Sequence, residues 1–200
     1  MNRRRHLQAW LGAAAVPPGW AFAADDFAAR LRAGACVLLM RHAQTEPGVG
    51  DPPGFSLAQC STQRNLDERG RKQSEQWARW LAARSLVPAQ VRSSAWCRCV
   101  DTARLAFSPA PASPAPTPGG VPAPAVQVWA PLNSFFDGQG DRETQTAALR
   151  AALRTLPAGQ WQAWVTHQVN ITALTGESVA MGEAFVVDRT GRMLARQLPG

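Results

Sequence analysis

The sequence predicts an α/β fold organised around a layered sheet, and three observations carry that expectation. A continuous apolar run, Cys36-Val37-Leu38-Leu39-Met40, reads as a strand buried on both faces, as strands of a parallel sheet are. Two stretches, Asp67 to Arg84 and Glu143 to Thr155, carry apolar residues at helical spacing. Strand-like and helix-like stretches alternate along the chain, with no internal repeat.

Residues 1–23 stand apart from that pattern. Arg3, Arg4 and Arg5 precede a short apolar stretch, Ala9 to Val16, and Ala21-Phe22-Ala23 follows with small residues at the two positions a signal peptidase reads. The start resembles a twin-arginine export signal, with an ordinary secretory signal as the alternative. The apolar stretch is too short to span a bilayer as a helix, and Pro17 and Pro18 interrupt it. A mature chain from about Ala24 to Gly200 is therefore expected, periplasmic or otherwise exported, with no stable membrane insertion.

The chain has 200 residues, which favours one folded domain. Formal charge is +7, from 21 basic and 14 acidic side chains; without Arg3, Arg4 and Arg5, 18 basic residues leave +4. That excess suits a small anionic substrate. No basic stripe with interleaved aromatics argues for nucleic acid.

After the first strand the chain passes through a Gly/Pro-rich loop to about Gln63. The helix that follows has Asp67 as its N-cap and Trp77, Trp80 and Leu81 as an apolar stripe, best read as core packing. Leu86 to Ser93 leads into a second strand, and Trp96 to Phe107 reads as a helix with Cys99, Val100, Ala103 and Phe107 inward. Residues 108–125, rich in Pro and Ala, are expected as an inserted surface loop. Val126 to Trp129 is a third strand, and the helix Glu143 to Thr155 turns Ala147, Leu149 and Leu153 inward. Trp161 to Thr166 is a fourth strand, and Asn170 to Leu174 begins a short helix. Glu183 to Asp188 and Met193 to Leu198 flank a turn and suggest a terminal hairpin. Of the four cysteines, Cys36 reads as a core residue, and Cys60 with Cys97 or Cys99 is the preferred bridge. The C-x-C spacing with no nearby pair of histidines argues against zinc.

The candidate chemistry lies at strand ends. Beyond His6 in the leader, the chain has two histidines, His42 and His167, each directly after an apolar strand. Active sites of α/β sheets gather at the carboxyl ends of strands. Arg41 adjoins His42, and Arg98 follows Ser93-Ser94 at the entry to a helix. A neutral imidazole is a competent nucleophile toward phosphorus, and guanidinium groups grip phosphoryl oxygens without a metal.

Four blocks in order then resemble the histidine phosphatase (phosphoglycerate mutase-like) superfamily. Leu39-Met40-Arg41-His42-Ala43-Gln44-Thr45 resembles its R-H-G motif, and Asn65-Leu66-Asp67-Glu68-Arg69-Gly70-Arg71-Lys72-Gln73 its helix-start motif. Ser93-Ser94-Ala95-Trp96-Cys97-Arg98 with Thr102-Ala103 resembles its second block, and Val165-Thr166-His167 the strand bearing its second histidine. The resemblance implies a three-layer sandwich, mostly parallel in its central sheet, with helices on both faces. It implies a phosphatase with His42 as nucleophile, with Arg41, Arg98 and His167 on the phosphoryl oxygens, and with no cofactor or metal. Gln44, Thr45 and Gln168 are candidate substrate contacts.

The chain departs from the family pattern in places. Ala43 replaces the usual glycine, and Gly48 falls where many members have an asparagine. His167-Gln168-Val169-Asn170-Ile171 resembles the phytase-like His-Asp-x-Asn-Ile, with Gln168 in place of the acid. An amide is no ordinary proton donor. Asp137 is the first candidate acid, with Asp141 and Glu143 nearby. The alternative is a catalytically weak or inactive binding protein for phosphorylated ligands.

Overall fold

The computed structural model describes residues 19–107 and 124–199, with side chains from Asp26 onward. The elements in chain order are α1 (Gly19–Ala33), β1 (Cys36–Arg41), α2 (Glu68–Ala82), β2 (Gln90–Ser93), α3 (Cys97–Phe107), β3 (Val126–Val128), α4 (Arg142–Arg154), β4 (Trp161–Thr166), α5 (Gln168–Thr175), β5 (Ala184–Asp188) and β6 (Met193–Gln197). One six-stranded sheet runs β3-β2-β4-β1-β5-β6. The first four strands of that order are parallel; β5 lies antiparallel to β1 and forms the expected hairpin with β6. The mostly parallel α/β sandwich is thus the observed fold.

Alternation along β1 divides the core in two. Cys36, Leu38 and Met40 join Phe27, Leu31, Trp77, Leu81, Cys99 and Ala103 beneath α1, α2 and α3. Val37 and Leu39 point the other way, into Leu132, Leu149, Leu153, Trp164, Ile171 and Phe185 beneath α4 and α5. Helices therefore cover both faces, which is why β1 reads as an unbroken apolar run. The α2 stripe packs as expected: Trp77 is fully buried, and Trp80 meets Trp77 and Phe27 edge-on at 5.5 and 5.7 Å. Asp67 caps α2, its Oδ1 accepting the Gly70 N–H at 2.7 Å.

Three readings need adjustment. Helix α1 was not foreseen, and it runs through the expected cleavage position after Ala23, with the leader up to residue 18 outside the described residues. Ala147, expected inward, is exposed, because the buried stripe of α4 passes through Leu149 and Leu153. Val100 is only half-buried, since Cys99 and Ala103 take the inner face of α3. The Pro/Ala-rich segment lies outside the described residues from 108 to 123.

The disulfide joins Cys60 to Cys97, while Cys36 and Cys99 are free and buried. It closes a loop of 37 residues between the segment after β1 and the start of α3. A cross-link over such a span removes chain entropy from the unfolded state. Cys60→Ser is expected to lower unfolding free energy by about 2–4 kcal/mol in urea titrations.

Candidate active site

The register of the parallel strands brings the candidate residues together. Arg41 at the end of β1 lies opposite Thr166 at the end of β4, and Ser93 at the end of β2 lies opposite Val165. The ladder continues one step further, with His42 N–H donating to Thr166 O at 2.9 Å and Ser94 N–H to Val165 O at 3.0 Å. His42, His167 and Ser94 therefore emerge side by side at the carboxyl edge. The two imidazoles stand edge to face with centroids 5.6 Å apart, and both are almost fully buried.

His42 is held in one tautomer. Its Nδ1 lies 2.9 Å from Ala43 O, which can only accept, so Nδ1 carries the proton. Burial, with Arg98, Arg41 and Arg64 nearby, pushes its pKa down to about 3. The ring is thus neutral, with the Nε2 lone pair free of described hydrogen-bond partners. His167 is likewise held well below its usual value, by burial first, then by His42 and the same three arginines. Its Nε2 lies 2.8 Å from Ser94 Oγ and 3.5 Å from Cys99 Sγ. Burial raises the Cys99 thiol to about 12, so it stays protonated.

Arg41 donates from Nη1 to Val179 O at 3.0 Å. Arg98, only 4% exposed, is forked by Asp51: Nη1 donates to Oδ1 at 2.8 Å and Nη2 to Oδ2 at 3.1 Å. Arg64 donates from Nη1 to Val49 O at 2.6 Å. Burial and mutual repulsion lower the pKa of Arg41 and Arg64 from the usual guanidinium value, but a guanidinium remains charged at working pH. In all three arginines Nε is buried with no hydrogen-bond partner.

The conspicuous sequence blocks now have structural reasons. A Cβ at Gly70 would lie 2.1 Å from Gln44 O, so only glycine lets α2 approach the segment after His42. Gln73 accepts from Gln44 N–H at 3.1 Å and donates to Met181 O at 2.9 Å. Thr102 accepts from Ala43 N–H at 3.0 Å and donates to Arg98 O at 2.7 Å, tying the His42 segment to the Arg98 helix.

Other expected residues sit differently. Thr45 is fully buried, its hydroxyl on Met181 Sδ, so it packs beneath the site and offers no open contact surface. Gln44 is half-buried, with Nε2 donating to Thr45 O. Gln168, at the start of α5, is exposed and lines a shallow cleft with Phe135 and Arg142. Asp137 is exposed, with a left-handed backbone at φ 55°, and no hydrogen bond joins it to the histidines. Asp141 is occupied as the N-cap of α4, accepting from Thr144 N–H. Sequence reasoning missed Asp51, Arg64 and Asn133, whose Oδ1 accepts from Ala95 N–H and Ser94 Oγ. The only sequence signal for Arg64 was its position directly before the helix-start block.

Residues 37–118 match the family model described as "Histidine phosphatase superfamily (branch 1)", a span that includes His42, Asp51, Arg64 and Arg98. That match spans 82 of the 200 residues, and over it the chain is similar to the histidine phosphatase superfamily. Solved structures share its fold: the protein histidine phosphatase SixA complexed with tungstate, at 16% identity and TM-score 0.51, covers 82% of this chain and 97% of its own. The alpha-ribazole phosphatase from Shigella flexneri, at 18% identity and TM-score 0.53, covers 82% and 96%. The mycobacterial glucosyl-3-phosphoglycerate phosphatase, complexed with VO3, has 18% identity, TM-score 0.52 and the same coverages. Compared with curated protein sequences, the chain has no significant match.

Burying both histidines neutral makes the protein acid-sensitive. Unfolding restores an ordinary imidazole near pH 6.5, so between about pH 6.5 and 3 the unfolded chain binds more protons than the folded one. Stability is expected to fall as pH drops through that window. His42→Gln should flatten the slope in pH-dependent urea titrations.

Proposed function

We propose that the chain is a phosphatase that hydrolyses phosphate monoesters through a phosphohistidine on His42, without a metal. One observation carries this reading: the His42 ring is neutral and pinned through Nδ1, so its Nε2 lone pair is available beside three arginines. In the first step Nε2 attacks phosphorus in line, the P–N bond forms, and the P–O bond to the leaving group breaks with its electron pair passing to oxygen. Arg41, Arg98 and Arg64, with His167, stabilise the equatorial oxygens. In the second step water attacks phosphorus, the P–N bond breaks, and phosphate leaves with His42 restored. The substrate is a small phosphorylated molecule.

The acid for the first step is assigned to Asp137, on the exposed turn after β3. Of its neighbours, Asp141 is committed to capping α4, and Glu143 lies in the first turn of that helix, where its charge favours the helix N-terminus. Export to the periplasm remains part of this reading. The leader pattern of residues 1–23 and the Cys60–Cys97 disulfide both support an oxidising compartment.

Hydrolysis of p-nitrophenyl phosphate, assayed with chelator, tests the reaction. Turnover is expected for the native chain and only background for His42→Ala. Arg98→Ala is expected to slow it by about 10²–10³-fold, the usual effect of losing one such donor. Folded protein with no turnover, indistinguishable from His42→Ala, would overturn the proposal.

Leaving-group dependence tests the acid. Asp137→Asn should leave p-nitrophenyl phosphate turnover nearly unchanged. It should slow an alkyl phosphate by about 10²–10⁴-fold, because an alkoxide needs protonation as it departs.

A further inference from the structure

We infer that Asp51 is a positioning residue of the anion site: it holds Arg98 by both terminal nitrogens and leaves the buried Nε–H as the donor for a phosphoryl oxygen. The inference rests on the phosphatase reading for the identity of the anion.

Asp51 lies 47 residues from Arg98, in the loop that the sequence marks only by glycine and proline. Its carboxylate accepts four hydrogen bonds. Oδ1 takes Arg98 Nη1–H at 2.8 Å and the Arg64 backbone N–H at 2.9 Å. Oδ2 takes Arg98 Nη2–H at 3.1 Å and Trp96 Nε1–H at 3.2 Å. Burial works against its charge, but the Arg98 fork and the other donors hold its pKa below the usual carboxylate range. A saturated, ionised carboxylate has no proton to give and little accepting capacity left. Its role is therefore geometric. Two parallel N–H···O bonds fix the plane of a guanidinium, which one bond or a point charge does not.

The unsatisfied groups point the same way. Nε of Arg98, Arg64 and Arg41 are all buried without partners. A buried N–H left unpaired is costly, and such groups are few in folded proteins. Three of them in mutually repelling guanidinium groups beside His42 make donors held for an incoming anion. The charge agrees: three guanidinium groups and one carboxylate sum to +2, which complements a phosphoryl dianion. Asp51 also positions the second arginine, since it accepts the backbone N–H of Arg64.

The loop is anchored where this requires. Cys60 is bonded to Cys97, the residue before Arg98, and Gln63 Oε1 accepts Cys97 N–H at 2.9 Å. Loop and helix start are thus joined by a covalent bond and a hydrogen bond, and the loop after β1 belongs to the anion site itself.

The test is a double-mutant cycle in the full chain, using Asp51→Asn, Arg98→Ala and both together. Turnover of p-nitrophenyl phosphate and affinity for orthovanadate are the readouts, the latter from the rise in unfolding temperature. Asp51→Asn should lower kcat/KM and vanadate affinity each by about 10–100-fold, with the unliganded protein still unfolding cooperatively. In the Arg98→Ala background the same change should have less than about a twofold further effect, because Asp51 acts through Arg98. Unchanged affinity, or full additivity with Arg98→Ala, would overturn the inference. Tighter vanadate binding would overturn it by making Asp51 a plug in the anion site. Loss of cooperative folding in Asp51→Asn would make it a folding residue only. Vanadate binding without turnover would sink the phosphatase reading and leave the cycle valid on affinity alone; a native chain that neither turns over nor binds would sink both.

Discussion

The parallel pairing of β1 with β4 is the constraint from which the site follows. Side by side in register, the two strands release His42 and His167 at the same edge. Neither histidine needs a special loop to find the other, because the ladder extends through His42 N–H to Thr166 O. The antiparallel return of β5 on the other side of β1 completes the enclosure. Its approach segment supplies a carbonyl to the site, Val179 O, which accepts from Arg41, while Gly182 O accepts from the core residue Trp77. Shifting β1 by one residue would send His42 to the opposite face of the sheet.

Electrostatics set the second constraint. Three arginines packed near two buried imidazoles would repel one another and destabilise the fold if left alone. The fold answers with neutral histidines, whose protonation the arginines oppose, and with backbone carbonyls at Val179 and Val49. It adds one well-bonded carboxylate, Asp51. The same arrangement that keeps the imidazoles neutral in the free protein favours an anion once it arrives. Site stability and affinity for a phosphoryl group are therefore linked through the same charges.

Much of the fold was legible from local pattern. An unbroken apolar run marked β1, helical spacing marked α2, strand-like stretches on either side of a turn marked the terminal hairpin, and Asp67 announced the start of α2. Those signals are local, so the chain displays them in order. Helix α1 was missed because its first residues, up to Ala23, were read as the end of a leader, which hid the start of a helix that continues to Ala33. Ala147 was misplaced because a small residue fits either face of a helix. In the site, His42, His167, Arg41 and Arg98 were legible because strand ends and a motif locate them. Asp51 and Arg64 were not, because a loop has no periodicity, and nothing local tells which of its charges turns inward.

The α/β class, the strand-end histidines and the four ordered blocks that resemble the histidine phosphatase superfamily could all be read from the chain alone, since each depends on residues near one another along it. Which cysteine Cys60 meets, that Thr45 is packed away, and that Arg98 is gripped by a carboxylate 47 residues distant emerge only when the chain is folded. The physical reason is the same in each case. Burial, charge pairing and cross-linking depend on which segments the packed sheet and helices bring within a few ångströms, and a loop carries no local signal of its eventual neighbours.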